Sequence, residues 1–534
     1  MTIGLLEATT LGCGIFAAYL ISKRHRSVRK RHLRGTQMNQ NLLPTEPTDG
    51  LPYLWGGRFI SFSAACKHFL AVGSTGSGKT VLISLLMKEV MRVIAQDDGA
   101  DVRSLVYDSK TDLLPILRGM GVPEEKLVVL NPFDARVWAW NMAADITNPM
   151  QADDVASVFI PPSKGESNPY FPDTARRFLA GIIEVFIEKS KGQWTLRDLV
   201  LAVKTPERLK AILMSSAETE DLEQHFEPPN TFANVNATLS GQLRKYRSIA
   251  AVWHHAGERQ FTIREWMHSP QVIVLGNNAK AKEPIQRLNA LIFSEIAKEI
   301  LSEPGRSTSE NWLFLDEFGD LGELSNLVDL MKLGRSKGAA VVLGAQDVAD
   351  IDSIYGKDRS RTIFGNAQNI GIVHINSSQP DTQKWASEVV GDEQYIRQDK
   401  SQSESVSGRG EVSNSTSTNF NYVTEKSWLP SMFSSELPPT DGHHGLSGVF
   451  RIGSTFFRQN IPADILFGKR GKWNRVPDSA EDYPEQLDHT NPEIFRLGDW
   501  NMDDIARLGI PGLMDSLSGA FDRENSQDPL EDVK

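Results

Sequence analysis

The sequence predicts an α/β fold with a mostly parallel sheet, and three observations carry that expectation. Six short apolar runs, at 68–72, 104–107, 271–275, 312–315, 339–343 and 369–375, alternate with helical patterns. Unbroken apolar runs of this length suit strands buried on both faces, as parallel strands are, and the alternation makes the helices their crossovers. The first run leads straight into a glycine-rich loop and then the helical pattern VLISLLMKEVMRVIA, the strand–loop–helix order of a phosphate-binding unit. Between 142 and 265 the rhythm stops. Helical patterns such as TARRFLAGIIEVFIEK (174–189) and the stretch 234–247 take over, so an all-helical domain is expected to be inserted into the sheet domain. A last strand is expected at 448–452.

At the amino terminus, residues 8–21 (ATTLGCGIFAAYLI) are apolar and uncharged. The stretch 1–22 reaches the roughly 20 residues needed to cross a bilayer if Glu7 sits at the outer interface. Lys23, Arg24, Arg26, Arg29, Lys30, Arg31 and Arg34 follow at once. Charge after the apolar run is the reverse of a signal peptide, so a single-pass transmembrane helix in the inner membrane is expected, with all later residues cytoplasmic. Residues 23–50 read as a basic juxtamembrane segment and polar linker, and 51–141 and 266–470 as the two parts of the nucleotide-binding domain. The acidic tail 471–534 reads as either solvated chain or a partner-binding peptide. The serine-rich stretch 400–419 lacks apolar periodicity and reads as a mobile loop.

Composition narrows the class. A chain of 534 residues, 40% hydrophobic, buries a large core and exceeds one ordinary domain. Its net charge of -11 excludes a surface that is basic all over, so any grip on nucleic acid must come from local patches. Cys13 and Cys66 have no ligand spacing around them, which supports neither a zinc site nor a disulfide framework.

Gly73, Ser74, Thr75, Gly76, Ser77, Gly78, Lys79 and Thr80 match GxxxxGK[ST] in full. In that pattern the glycines let backbone N–H groups curl round phosphates, the helix amino terminus adds positive potential, the lysine reaches the β and γ phosphates, and the threonine offers a hydroxyl to Mg2+. ATP and Mg2+ are therefore the expected ligands. The second half of the site is expected in WLFLDE (312–317). Asp316 would hold Mg2+ through its water shell and Glu317 would polarise the attacking water, since the metal needs no second carboxylate there. Gln346 ends the next expected strand, where its amide would sense the γ phosphate. Arg335, in LGRSKG, reads as a finger reaching a neighbouring subunit's nucleotide or as a solvated helix-end cation. Fingers in other P-loop enzymes are worth roughly 10³ to 10⁵ in rate. Lys357, Arg359 and Arg361, in IYGKDRSRT, read as phosphate-gripping residues on loops after the central strands or as ordinary surface charges.

The order of the P-loop, YDSKTDL (107–113), NPFDAR (131–136), FPDTARRF (171–178), LFLDEF and GRSKGAAVVLGAQD resembles the type IV coupling proteins of bacterial conjugation, the TraD/TraG group within the larger FtsK/HerA-like motors. The likeness spans about 50–466, and GVFRIGSTFFR fits a late strand of the family. It implies a RecA-like P-loop domain carrying an all-helical domain that faces the cytoplasm, a homo-hexameric ring around DNA, and an arginine finger at Arg335. It also implies a role linking the relaxase and its plasmid strand, the relaxosome, to a type IV secretion channel, with ATP hydrolysis driving transfer. Many members carry two membrane helices around a small periplasmic domain, whereas this sequence has room for one. A partition or DNA-processing motor of the same superfamily would share every residue named. An adaptor that recruits protein substrates for secretion would use ATP for assembly alone. No helix-turn-helix, zinc-finger or RNP-like signature appears, so contact with DNA is expected to be mostly sequence-independent.

Overall fold

The computed structural model describes residues 30–40, 43, 50–96, 99–162, 169–406, 412–470 and 472–514. The expected membrane segment at 1–22 lies outside these residues. Among the described residues no helix is long and apolar enough to cross a membrane.

A ten-stranded sheet runs in the order Asn39–Gln40, Thr455–Ile461, Leu446–Ile452, Asn369–Ile372, Phe69–Val72, Ala339–Ala345, Glu310–Leu315, Val102–Tyr107, Val272–Leu275 and Leu127–Val129. From Asn369–Ile372 to Leu127–Val129 every neighbouring pair is parallel. Leu446–Ile452 and Thr455–Ile461 fold back as an antiparallel hairpin on one flank. Each apolar run expected to be a strand is one, with its ends shifted by up to three residues. The strands are uniformly apolar because both faces are covered. Leu70, Val72, Leu313 and Leu315 enter a core shared with helices Pro149–Phe159, Tyr170–Lys189 and Lys282–Ser302, while Phe69, Ala71, Trp312 and Phe314 enter a second core against helix Lys79–Gln96.

The helical region is closed at its base by two short parallel strands, Ala139–Trp140 beside Gln260–Phe261. Its central helix Tyr170–Lys189 buries Ala175, Phe178, Leu179, Ile182, Ile183 and Phe186, the spacing of one helical face. Thr195 and Asp198 form a reciprocal capping box that starts Leu196–Ala202.

Four expectations are corrected. The stretch 400–419 is not a loop throughout: Asp392–Val406 and Val412–Lys426 form an antiparallel ribbon in unbroken register from Asp392↔Lys426 to Val406↔Val412. Apolar periodicity detects a buried face, and this ribbon is held by its backbone ladder instead; Phe420 and Tyr422 stand well exposed on it. Part of the expected basic juxtamembrane segment is a strand, Lys30–Gly35, that pairs along the ribbon's inner end. Lys357, Arg359 and Arg361 lie on a helix, Lys357–Asn366, where Arg359 pairs with Glu323.

The fourth correction concerns the acidic tail. Residues 472–514 are a strap packed along the body. Lys88 donates to the carbonyls of Lys472, Trp473 and Arg475 at 3.3, 3.0 and 3.1 Å. The turn NPFDAR holds the middle, through Ala135 N–H to the Leu487 carbonyl at 2.7 Å and Arg136 stacked on Tyr483 at 4.6 Å. The far end docks on the helical region, where Arg208 grips Asp499 at 2.7 Å and Arg507 grips Asp198 at 2.9 Å. Its Asp499 and Asp504 are met by Arg208 and Arg197, about 300 residues away, which no local reading of charge detects.

Candidate active site

The parallel strands finish on one edge of the sheet, and the loops leaving that edge build the site. The acidic strand Glu310–Leu315 lies one strand away from the P-loop strand Phe69–Val72, with Ala339–Ala345 between them. A residue just beyond the middle strand faces both, and Gln346 is that residue.

Gly73 and Ser74 extend the ladder to both sides, their N–H groups donating to the carbonyls of Ala345 at 3.3 Å and His374 at 2.9 Å. A Cβ on Gly73 would stand 2.4 Å from Val373 Cγ2. Gly76 and Gly78 take φ of +73° and +97°, which glycine adopts freely, and they turn the chain so that helix Lys79–Gln96 begins at the lysine. Ser74 Oγ accepts from the Asn376 N–H at 2.7 Å and donates to Gln379 Oε1 at 2.5 Å. The Ser77 hydroxyl is buried with no hydrogen-bond partner among the described residues, and a Cβ on Gly76 would meet nothing within 4 Å. An open, N–H-lined turn with a buried hydroxyl left unanswered fits a phosphate group.

Thr80 Oγ1 donates to Asp316 Oδ2 at 2.7 Å. Burial pushes the Asp316 carboxyl above the usual carboxylate range, Thr80 and Lys79 oppose that, and neighbouring Glu317 adds to it. Lys79 is itself buried, which lowers its pKa against the pull of Asp316 and Glu317. A hydroxyl and a carboxylate oxygen side by side are hard donors that fit Mg2+. Such a charge would favour the ionised form of Asp316, against the rise that burial causes.

Glu317 sits in the left-handed region with φ +56°, a conformation that costs a non-glycine residue about 1 kcal/mol and recurs at functional sites. Its Oε1 accepts from Gln346 Nε2 at 2.6 Å, and Gln346 Oε1 accepts from Thr75 Oγ1 at 3.0 Å. The turn therefore joins the P-loop to the second carboxylate through one amide. The eight P-loop residues, Asp316, Glu317 and Gln346 are thus brought together.

Arg335 is not brought to them. It is exposed on the turn Gly334–Lys337, at the opening end of Ala339–Ala345, whereas Gln346 follows the closing end. Seven residues of strand separate them, about 23 Å at 3.3 Å per residue.

Three features of the site were not legible as such. Lys110 Nζ lies 3.4 Å from Glu317 Oε1. Its signal was position, just after the end of the strand beside the acidic one. Thr440 donates from its hydroxyl to the Ser77 carbonyl at 2.8 Å and arrives from the far end of the chain, with no local signal. A Cβ on Gly344 would stand 2.2 Å from Asp316 Oδ1. A glycine inside a strand pattern is the general signal of such a close approach.

A family model described as the type IV secretion-system coupling protein DNA-binding domain matches residues 53–442. Coupling protein TraD of Escherichia coli (strain K12) is 25% identical over 310 residues, covering 56% of this chain and 40% of that protein. The match thus spans well under half the length of that relative. Among solved structures, the bacterial conjugative coupling protein TrwBdeltaN70 in its unbound monoclinic form aligns at TM-score 0.64 with 19% identity, covering 86% of this chain and 97% of that one. TrwB in complex with ADP and Mg2+ aligns at 0.61 with 18% identity, covering 87% and 99%. At these identities the likeness shows a common fold.

Proposed function

Because the chain belongs to the type IV secretion-system coupling proteins, we propose that it is a membrane-anchored, ATP-driven DNA translocase that couples relaxase-bound plasmid DNA to a type IV secretion channel in conjugation. The observation that carries the enzymatic part is the 2.7 Å contact of Thr80 with Asp316 beside buried Lys79. Those groups come from segments 236 residues apart and meet at the start of the helix that follows the loop, where a metal and a phosphate would be received.

ATP is the substrate. The N–H groups of the loop from Thr75 to Thr80 and the Lys79 ammonium bind its phosphates. Thr80 and Asp316 would hold Mg2+, which when bound neutralises charge on the β and γ phosphates. Glu317 orients the attacking water, and Gln346, tied to both Thr75 and Glu317, registers departure of the γ phosphate. The TrwB structure with ADP and Mg2+ supports the same ligands here. Arg335 serves the neighbouring subunit's site in a homo-hexameric ring, a reading supported by its distance from its own P-loop. DNA is held through its phosphates with little base preference. The apolar stretch 1–22 and the cations after it support anchoring in the inner membrane.

Lys79→Ala in the full-length protein tests the motor. It removes the phosphate contact without altering the surface, so plasmid transfer from donor to recipient cells is expected to fall to background. Undiminished transfer would overturn the motor reading and leave an adaptor.

A further inference from the structure

The turn after the Val102–Tyr107 strand carries a cation with no role in the mechanism above. Lys110 Nζ lies 3.4 Å from Glu317 Oε1, and its side chain is half exposed, so the long stem can swing without disturbing the core. The backbone beneath it is fixed. Asp108 accepts from the N–H groups of Asp112 and Leu113 at 3.1 and 3.2 Å, Thr111 holds a left-handed φ of +59°, and Asn277 Nδ2 donates to the Ser109 carbonyl at 3.2 Å. Lys110 is near enough to lower the pKa of Lys79 and to oppose the rise at Asp316. It therefore shares the charge cluster that a nucleotide's phosphates would enter, on the flank that carries Glu317 and Gln346.

We propose that Lys110 is a second phosphate-binding lysine, specific for the terminal phosphate of a nucleoside triphosphate, and that its exchange between Glu317 and that phosphate lets the site tell a triphosphate from a diphosphate. The proposal rests on the reading of the P-loop as an ATP site. Without a terminal phosphate, the nearest anion to Lys110 is the Glu317 carboxylate. A γ-phosphoryl group brings more charge and more acceptor oxygens into the same space, and an ammonium pairs with it more strongly than with a single carboxylate oxygen. Glu317 Oε1 then keeps only the Gln346 amide, and the carboxylate no longer shares its charge with an ammonium when it orients a water molecule. A diphosphate lacks the competing group and leaves the ion pair intact.

The test uses the full-length protein and calorimetric titration with the non-hydrolysable analogue ADPNP and with ADP, each with Mg2+. Lys110→Ala is expected to weaken ADPNP binding about tenfold, the loss of one charge-assisted hydrogen bond, and to change ADP binding less than about twofold. Lys110→Arg keeps most of the preference because it keeps the cation. An equal loss for both nucleotides, or no loss for either, would overturn the proposal while leaving the ATP site standing. Absence of any nucleotide binding by the unaltered protein would overturn the ATP-site reading and this proposal together.

Discussion

At the scale of single residues, the site depends on absent atoms as much as on present ones. Gly344 leaves the space in which the Asp316 carboxylate lies, and a methyl group there would meet Oδ1 at 2.2 Å and Cα at 3.1 Å. Because Asp316 is fixed by the strand below it and by Thr80, it has little room to yield. Gly344→Ala is expected to cost about 1–3 kcal/mol by overpacking. It should also abolish the part of nucleotide affinity that depends on Mg2+. Thermal unfolding and titrations with and without EDTA measure both, and unchanged Mg2+-dependent affinity would show that Asp316 does not hold the metal. The P-loop residues, Asp316, Glu317 and Gln346 were legible because each ends or follows a buried strand in a recognisable string. Gly344, Lys110 and Thr440 were not, because their importance lies in which strand is neighbour to which.

Among the elements, the strap 472–514 departs furthest from expectation. Arg208 is almost wholly buried and its guanidinium is answered by Asp499 at 2.7 and 2.8 Å. Asp499→Ala leaves that cation without its carboxylate and is expected to loosen the strap by about 3 kcal/mol at most, solvent at half-exposed Asp499 screening part of the effect. Limited proteolysis should then cut between 472 and 498 faster than in the unaltered protein. Burial alone would raise the Asp499 carboxyl, but the bonds from Arg208 and Lys204 outweigh it and hold the group well below the usual range. With a depressed native pKa the stabilisation is complete above the ordinary aspartate value of about 4 and is lost as pH falls below it. Strap release should therefore rise on acidification below about pH 4 and be absent between pH 6 and 8. Cleavage independent of Asp499 and of pH would show that the ion pair does not hold the strap.

For the whole molecule, the separation of Arg335 from its own P-loop sets the expectation for assembly. If a neighbour completes each site, hydrolysis depends on association, and specific activity should rise with protein concentration and again with DNA. Lys79→Ala and Arg335→Ala spoil different halves of a shared site, so each alone should be inactive, the second by roughly 10³-fold or more. Mixed rings contain some interfaces with both halves intact, and partial activity should return. A monomeric sample hydrolysing ATP at the full DNA-stimulated rate would refute the shared site.

What the sequence determined by itself was local chemistry: the phosphate-binding string, the acid pair after an apolar run, the strands buried on both faces, and the break where helices replace them. Each is written within a window of a few turns or one strand, where periodicity and residue type suffice. The tertiary structure decided everything that depends on neighbours distant in the chain. It set the strand order that brings Gln346 between Thr75 and Glu317, and it turned Lys110 towards the same carboxylate. It made a ribbon of a serine-rich stretch with no apolar period, and it bound an acidic segment to arginines of the helical region. The physical reason is common to all four: backbone pairing and side-chain bonding join segments beyond the reach of a local window, up to 34 positions apart in the ribbon and about 300 in the strap, and neither leaves a mark on the composition of the segment it captures.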